Sequence, residues 1–130
     1  MEVVCLDTSI LIDYYRSKDK KSTFWYKLSH DYHFKIPTIV QYEILRGDKK
    51  KDAFWLEVFG RVPLLPFDGN CAIKAAEIYR KLKASSQLIG PDDILIAATS
   101  LVNEIPLATL NKGHFKRIEE LNLITEWGNN

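Results

Sequence analysis

Val3-Val4-Cys5-Leu6 is an unbroken apolar run that ends at an acid, Asp7. Two of its four residues are β-branched, and a short run of this kind reads as a strand covered on both faces. Thr8 and Ser9 follow as capping residues, and a helical pattern continues to about Arg16. Asp7 is therefore expected at the carboxyl end of a buried strand. In open α/β sheets that edge is where ligands bind.

The rest of the chain supplies the layers such a strand needs. Helices are expected over Ser22–His30, Ile39–Arg46 (with Thr38 as cap and Gly47 as stop), Lys49–Gly60, Asp68–Ser86, Asp92–Asn103 and Lys112–Ile118. Strands are expected at Phe34–Ile36, stopped by Pro37, at Val62–Phe67, at Pro106–Leu110 and at Leu121–Trp127. The two prolines of Val62–Phe67 mark it as an edge or irregular strand. Phe54, Trp55, Val58 and Phe59 form one expected buried stripe, and Ala72, Ala75, Ala76, Tyr79 and Leu82 another. Strands alternating with helices predict an α/β fold: a three-layer αβα sandwich around a mostly parallel sheet, with residues 1–130 as one domain.

Composition excludes several classes. The 18 basic and 17 acidic side chains leave a net charge of +1, so there is no whole-molecule basic footprint for nucleic acid. Cys5 and Cys71 fall in an expected strand and helix and read as buried thiols in a reducing compartment. No signal-peptide pattern precedes the first strand and no apolar run has membrane-spanning length, so the expected location is cytoplasmic.

Four polar residues interrupt apolar surroundings. Asp7 ends the first strand, Glu43 lies within Ile39–Leu45, Asp93 opens Ile94–Ala98, and Asn111 ends Leu107–Leu110. Each has an ordinary explanation alone. Asp7 is a candidate N-cap, Glu43 can pair with Arg46, Asp92 and Asp93 suit a first helical turn, and Asn111 suits a turn. Together they describe a pocket of three carboxylates and a carboxamide at one sheet edge. Three like charges that close require compensation, and oxygen-only donors match a hard cation, Mg²⁺ or Mn²⁺. Such a cluster suits phosphoester chemistry.

Competing sites are weaker. There is no GxGxxG or Walker loop, no nucleophile elbow, and only His30 and His33 as a close histidine pair. Lys49-Lys50-Lys51 reads as a solvated helix start whose charge also suits RNA phosphates, and Trp25, Trp55 and Trp127 read as core.

Leu-Asp-Thr-Ser-Ile-Leu-Ile-Asp-Tyr, Tyr-Glu-Ile-Leu-Arg-Gly, Ile-Gly-Pro-Asp-Asp-Ile-Leu-Ile-Ala-Ala and Leu-Ala-Thr-Leu-Asn-Lys-Gly-His-Phe-Lys-Arg-Ile occur in that order. In this order and spacing they resemble a PIN domain, and more narrowly the VapC toxins of toxin–antitoxin pairs, over essentially the whole chain. The resemblance implies a Mg²⁺-dependent endoribonuclease that uses metal-activated water, with Mn²⁺ as the substitute ion. It carries over Asp7, Glu43 and Asp93 as metal ligands. Asn111 falls at a fourth catalytic position that is often Asp, so one negative charge is missing. Thr8, Ser9 and Thr109 match hydroxyl positions that support the ligands through hydrogen bonds. His114 receives no role. The implied partners are an RNA substrate, a cognate antitoxin and a second copy of the chain. An RNA-processing nuclease outside such pairs, and a module that binds without cutting, are the alternatives.

Overall fold

The computed structural model describes residues 1–126 and 128–129. Five parallel strands form its centre: β1 (Glu2–Leu6), β2 (Tyr32–Pro37), β3 (Leu64–Leu65), β4 (Leu107–Ala108) and β5 (Leu123–Thr125). A sixth, β6 (Gly128–Asn129), runs antiparallel to β5, and the order is β3-β2-β1-β4-β5-β6. Helices flank this sheet: α1 (Thr8–Arg16), α2 (Phe24–Leu28), α3 (Thr38–Gly47), α4 (Ala53–Arg61), α5 (Gly69–Ala84), α6 (Pro91–Val102) and α7 (Lys112–Phe115). The αβα sandwich expected from the strand–helix alternation is the fold observed.

Burial explains why β1 sits in the middle. Val4, Cys5 and Leu6 are all fully buried, so only a strand with neighbours and helices on every side satisfies that run. β3, with its flanking prolines, takes the edge. α6 lies deepest among the helices. Its Ile96, Ala97, Ala98, Thr99 and Ser100 are fully buried, and small side chains let it approach its neighbours closely. Among the described residues no helix is long and apolar enough to cross a membrane.

Several expected boundaries shift for identifiable reasons. The second helix starts late, because a 3₁₀ turn at Lys20–Ser22 comes first and Thr23 caps α2 by accepting from the Tyr26 amide. Thr38 does not cap α3. Pro37 takes that position while still pairing with Leu65, and Thr38 Oγ1 accepts from Phe67 N at 3.2 Å. Lys49–Lys51 lie outside α4, which begins after Asp52 caps it through Phe54 N at 2.9 Å. The buried stripe of α5 is Cys71, Ala75, Ile78 and Leu82; Ala72 and Ala76 are exposed, and Tyr79 is 44% exposed. Cys71 and Ile78 bring more apolar surface inward than two alanines, and the helix turns to bury them. β4, α7 and β5 are shorter than expected, and the expected end of the last strand at Trp127 lies outside the described residues.

Candidate active site

Sheet register brings the first candidate residue to its partner. Leu6 stands opposite Ala108, so the following residues, Asp7 and Thr109, leave adjacent strands side by side. Asp7 is 3% exposed. It occupies the N-cap position of α1 but makes no side-chain capping bond there. Its Oδ2 instead accepts from Thr109 Oγ1 at 2.7 Å and from Ser9 Oγ at 2.8 Å. A hydroxyl has one hydrogen, so both are committed to Asp7, and the 3.4 Å between Ser9 Oγ and Thr109 Oγ1 is a contact of two acceptors. Those oxygens receive backbone amides in turn: Leu110 N donates to Ser9 at 3.0 Å and Asn111 N to Thr109 at 2.8 Å. The result is a braid of hydroxyls tying the start of α1 to the end of β4.

Glu43 arrives on α3. Thr8 Oγ1 donates to its Oε1 at 2.9 Å. The expected pairing with Arg46 is loose, at 3.9 Å, because Arg46 makes its closer ion pair with Asp92, at 3.2 Å. Asp93 sits in the first turn of α6, behind Gly90 at the N-cap and Pro91 at the first helical position. Its Oδ2 lies 3.2 Å from His114 Nδ1, and Asn111 Nδ2 lies 3.0 Å from the same nitrogen. One ring nitrogen cannot accept and donate at once. Bare, it accepts from Asn111; protonated, it donates to Asp93, and Asn111 turns its carbonyl inward.

The structure therefore brings Asp7, Ser9 and Thr109 into one network, Thr8 and Glu43 into a second, and Asp93, Asn111 and His114 into a third. His114 is the residue that sequence reading left without a role. Its signal was present: it lies three residues after Asn111, which occupies the N-cap position of α7.

The networks share an electrostatic field. Burial pushes the Asp7 carboxyl above the usual carboxylate range; the Thr109 and Ser9 hydroxyls oppose this, and Asp93 adds to it. Burial also raises Glu43, Thr8 opposes it, and the charges of Asp92, Asp7 and Asp93 push it further up. These are acids whose negative charge is under-compensated.

A PIN domain profile matches residues 4–121. The chain belongs to the PIN domain family. This PIN domain is 36% identical over 129 residues to Ribonuclease VapC of Rickettsia bellii, covering 92% of this chain and 93% of that one. It is 32% identical over 122 residues to Ribonuclease VapC1 of Methanocaldococcus jannaschii, covering 92% and 84%. Among solved structures, VapBC2 from Rickettsia felis, bound to a DNA fragment from its promoter, matches with a TM-score of 0.79 at 26% identity, over 95% of this chain and 98% of that one. VapBC from Salmonella typhimurium, at 24% identity and a TM-score of 0.80, shares the fold over 96% and 98%.

The donor set of this PIN domain bears on whether an ion fits it. Asp7, Glu43 and Asp93 offer oxygen alone, and burial first, then neighbouring carboxylates, raise the affinity of Asp7 and Glu43 for protons, so added positive charge would be favourable there. Yet among the described residues no three His, Cys, Asp or Glu side chains converge closely enough to cage an ion. That combination suits Mg²⁺, which keeps several waters and takes one or two carboxylates plus substrate phosphate; it does not suit a closed structural site.

Proposed function

We propose that this PIN domain is a Mg²⁺-dependent endoribonuclease acting as the toxin of a toxin–antitoxin pair. The observation that carries the reading is Asp7: a buried carboxylate, held by two hydroxyls, in the same field as Glu43 and Asp93. The names of its relatives, ribonucleases VapC, and the VapBC complexes among its structural matches support it.

In this reading Asp7, Glu43 and Asp93 would hold Mg²⁺, or Mn²⁺ in its place, one or two of them directly and the remainder through the ion's waters, with Asn111 beside them. The bound ion supplies neutralisation of the pocket toward a phosphodiester and a more acidic water for attack at phosphorus. The chain's own part is orientation. Thr109 and Ser9 fix the direction of Asp7, Thr8 fixes Glu43, and Asn111 with His114 fixes Asp93. The antitoxin sits over an apolar cavity of about 360 Å³ lined by Tyr14, Trp25, Phe34, Phe54 and Val58. Pairing of two copies and a cytoplasmic location belong to the same proposal.

The test is cleavage of a labelled structured RNA by wild type and Asp93→Asn, each with Mg²⁺ and with EDTA. The expected result is cleavage by wild type alone and only with Mg²⁺. Equal cleavage by both proteins removes Asp93 from the site. No cleavage together with no effect of Mg²⁺ on the melting temperature overturns the acidic-cluster reading.

A further inference from the structure

The wall beside Glu43 carries charge of the opposite sign. A cavity of about 460 Å³ lies between the end of α1, α3 and the segment 48–52, and its charged lining is Glu43 and Asp48 together with Arg16, Lys49 and Lys50. The segment Asp48-Lys49-Lys50-Lys51-Asp52 explains how lysines come to face it. Asp48 accepts the Asp52 amide through both carboxylate oxygens, at 3.2 and 2.9 Å. Asp52 accepts from Phe54 N at 2.9 Å and from the Tyr15 hydroxyl at 2.5 Å. Lys51 turns the chain with φ of 51°, a left-handed conformation uncommon for a side-chain-bearing residue. Both acids are thus spent on the backbone and on Tyr15, and the lysines between them remain exposed. Among the described residues none of Arg16, Lys49 and Lys50 has an ion-pair partner within 4.0 Å, and Lys50 acts on Asp52 only at longer range, adding to the Tyr15 hydroxyl that holds its carboxyl below the usual range.

We propose that this cleft seats the phosphates flanking the bond that is cut, with Arg16, Lys49 and Lys50 as their contacts. The inference rests on the ribonuclease reading above. An acidic centre repels the polyanion it cuts, so binding requires positive charge set next to the acids and not among them. The three cations outnumber the two carboxylates that line the cavity, and Asp48 is bonded to the Asp52 amide, so net positive charge faces a bound polyanion. Because the 48–52 segment is held at both ends, its backbone needs no further ordering, and the remaining cost is that of the lysine side chains themselves.

Fluorescence anisotropy of a short fluorescein-labelled oligouridylate, with the full chain in EDTA, measures affinity against salt from about 50 to 200 mM. The test variant is Arg16→Gln/Lys49→Gln/Lys50→Gln, with its melting temperature checked. Its plot of log affinity against log salt is expected to be shallower by about 2, since each contact to a single strand contributes about 0.7. A matched variant on α5, Arg80→Gln/Lys81→Gln/Lys83→Gln, is expected to keep the wild-type slope. Should the triple variant fail to fold, Lys49→Glu alone carries the test, with a weaker affinity and a shallower slope expected. An unchanged slope in a folded cleft variant overturns the proposal, and so does an equal loss in the α5 variant, which would make the effect one of net charge. A cleft variant that keeps its RNA slope but loses binding of polyglutamate overturns it in favour of an acidic protein segment. Mg²⁺-dependent cleavage separates the two readings: a wild type that cuts RNA while the slope is unchanged fails the cleft alone, and one that neither cuts nor binds fails both.

Discussion

Thr109 donates its hydroxyl hydrogen to Asp7 across 102 positions of sequence, at 2.7 Å. The bond exists because β1 and β4 are neighbours in register, and it supports a carboxylate that burial alone would disfavour. Replacing Thr109 with Val keeps the shape and removes both the donor to Asp7 and the acceptor of the Asn111 amide. Chemical denaturation at neutral pH is expected to show a loss of about 2 kcal/mol, the usual scale for a hydrogen bond to a charged group. A loss within error of zero would mean that Ser9 holds Asp7 alone.

The raised carboxyls give the ion-free protein a definite pH dependence. Asp7 and Glu43 bind protons more tightly folded than unfolded. Their contribution to stability is complete below the ordinary carboxylate range and is lost as pH rises through their raised folded values. Melting temperature in EDTA is therefore expected to fall over that interval. Asp7→Asn and Glu43→Gln are each expected to flatten the fall, and a steeper one in either variant contradicts the assignment.

Metal addition is expected to act in the opposite sense at neutral pH. If Mg²⁺ binds only the folded chain, stability rises by about 2.7 kcal/mol when the ion stands at a hundred times its dissociation constant. Wild type is expected to gain melting temperature with Mg²⁺, and Asp7→Asn to gain little. An equal gain in both would move the ion away from Asp7.

Trp55 tests the packing that holds the cleft. It is 3% exposed and sits among the rings of Tyr15, Phe54 and Phe59 at centroid distances of 4.9, 4.9 and 6.0 Å. Trp55→Ala is expected to cost about 3–5 kcal/mol, a large share of the stability of a chain this size. A cost below about 1 kcal/mol in a urea titration would show that the ring cluster collapses around the gap.

What was readable in the residues follows from which patterns have physical markers. An apolar run ended by an acid located Asp7 at the carboxyl edge, and the interrupting residues Glu43, Asp93 and Asn111 were visible as departures from apolar surroundings. Register between strands has no such marker, so the pairing that places Thr109 on Asp7 was accessible only through resemblance. Alanine is nearly indifferent to burial, which is why the α5 stripe was set one residue away from Cys71 and Ile78. The lysine run has the composition of a helix start, and the clamp between Asp48 and Asp52 that keeps it out of α4 is a backbone arrangement that side-chain periodicity does not report. The two residues of β6 are too few for a pattern.

The span between Thr109 and Asp7 also sets an order in time. Chains are made from the amino end, and β1 emerges first with Asp7 at its tip. The neighbour that β1 needs on one side, and the hydroxyl that Asp7 needs, come from β4, near the other end of the sequence. Until most of the chain has been synthesised, the Thr109 hydroxyl that supports Asp7 does not exist. The acidic centre therefore cannot be completed before β4 is made.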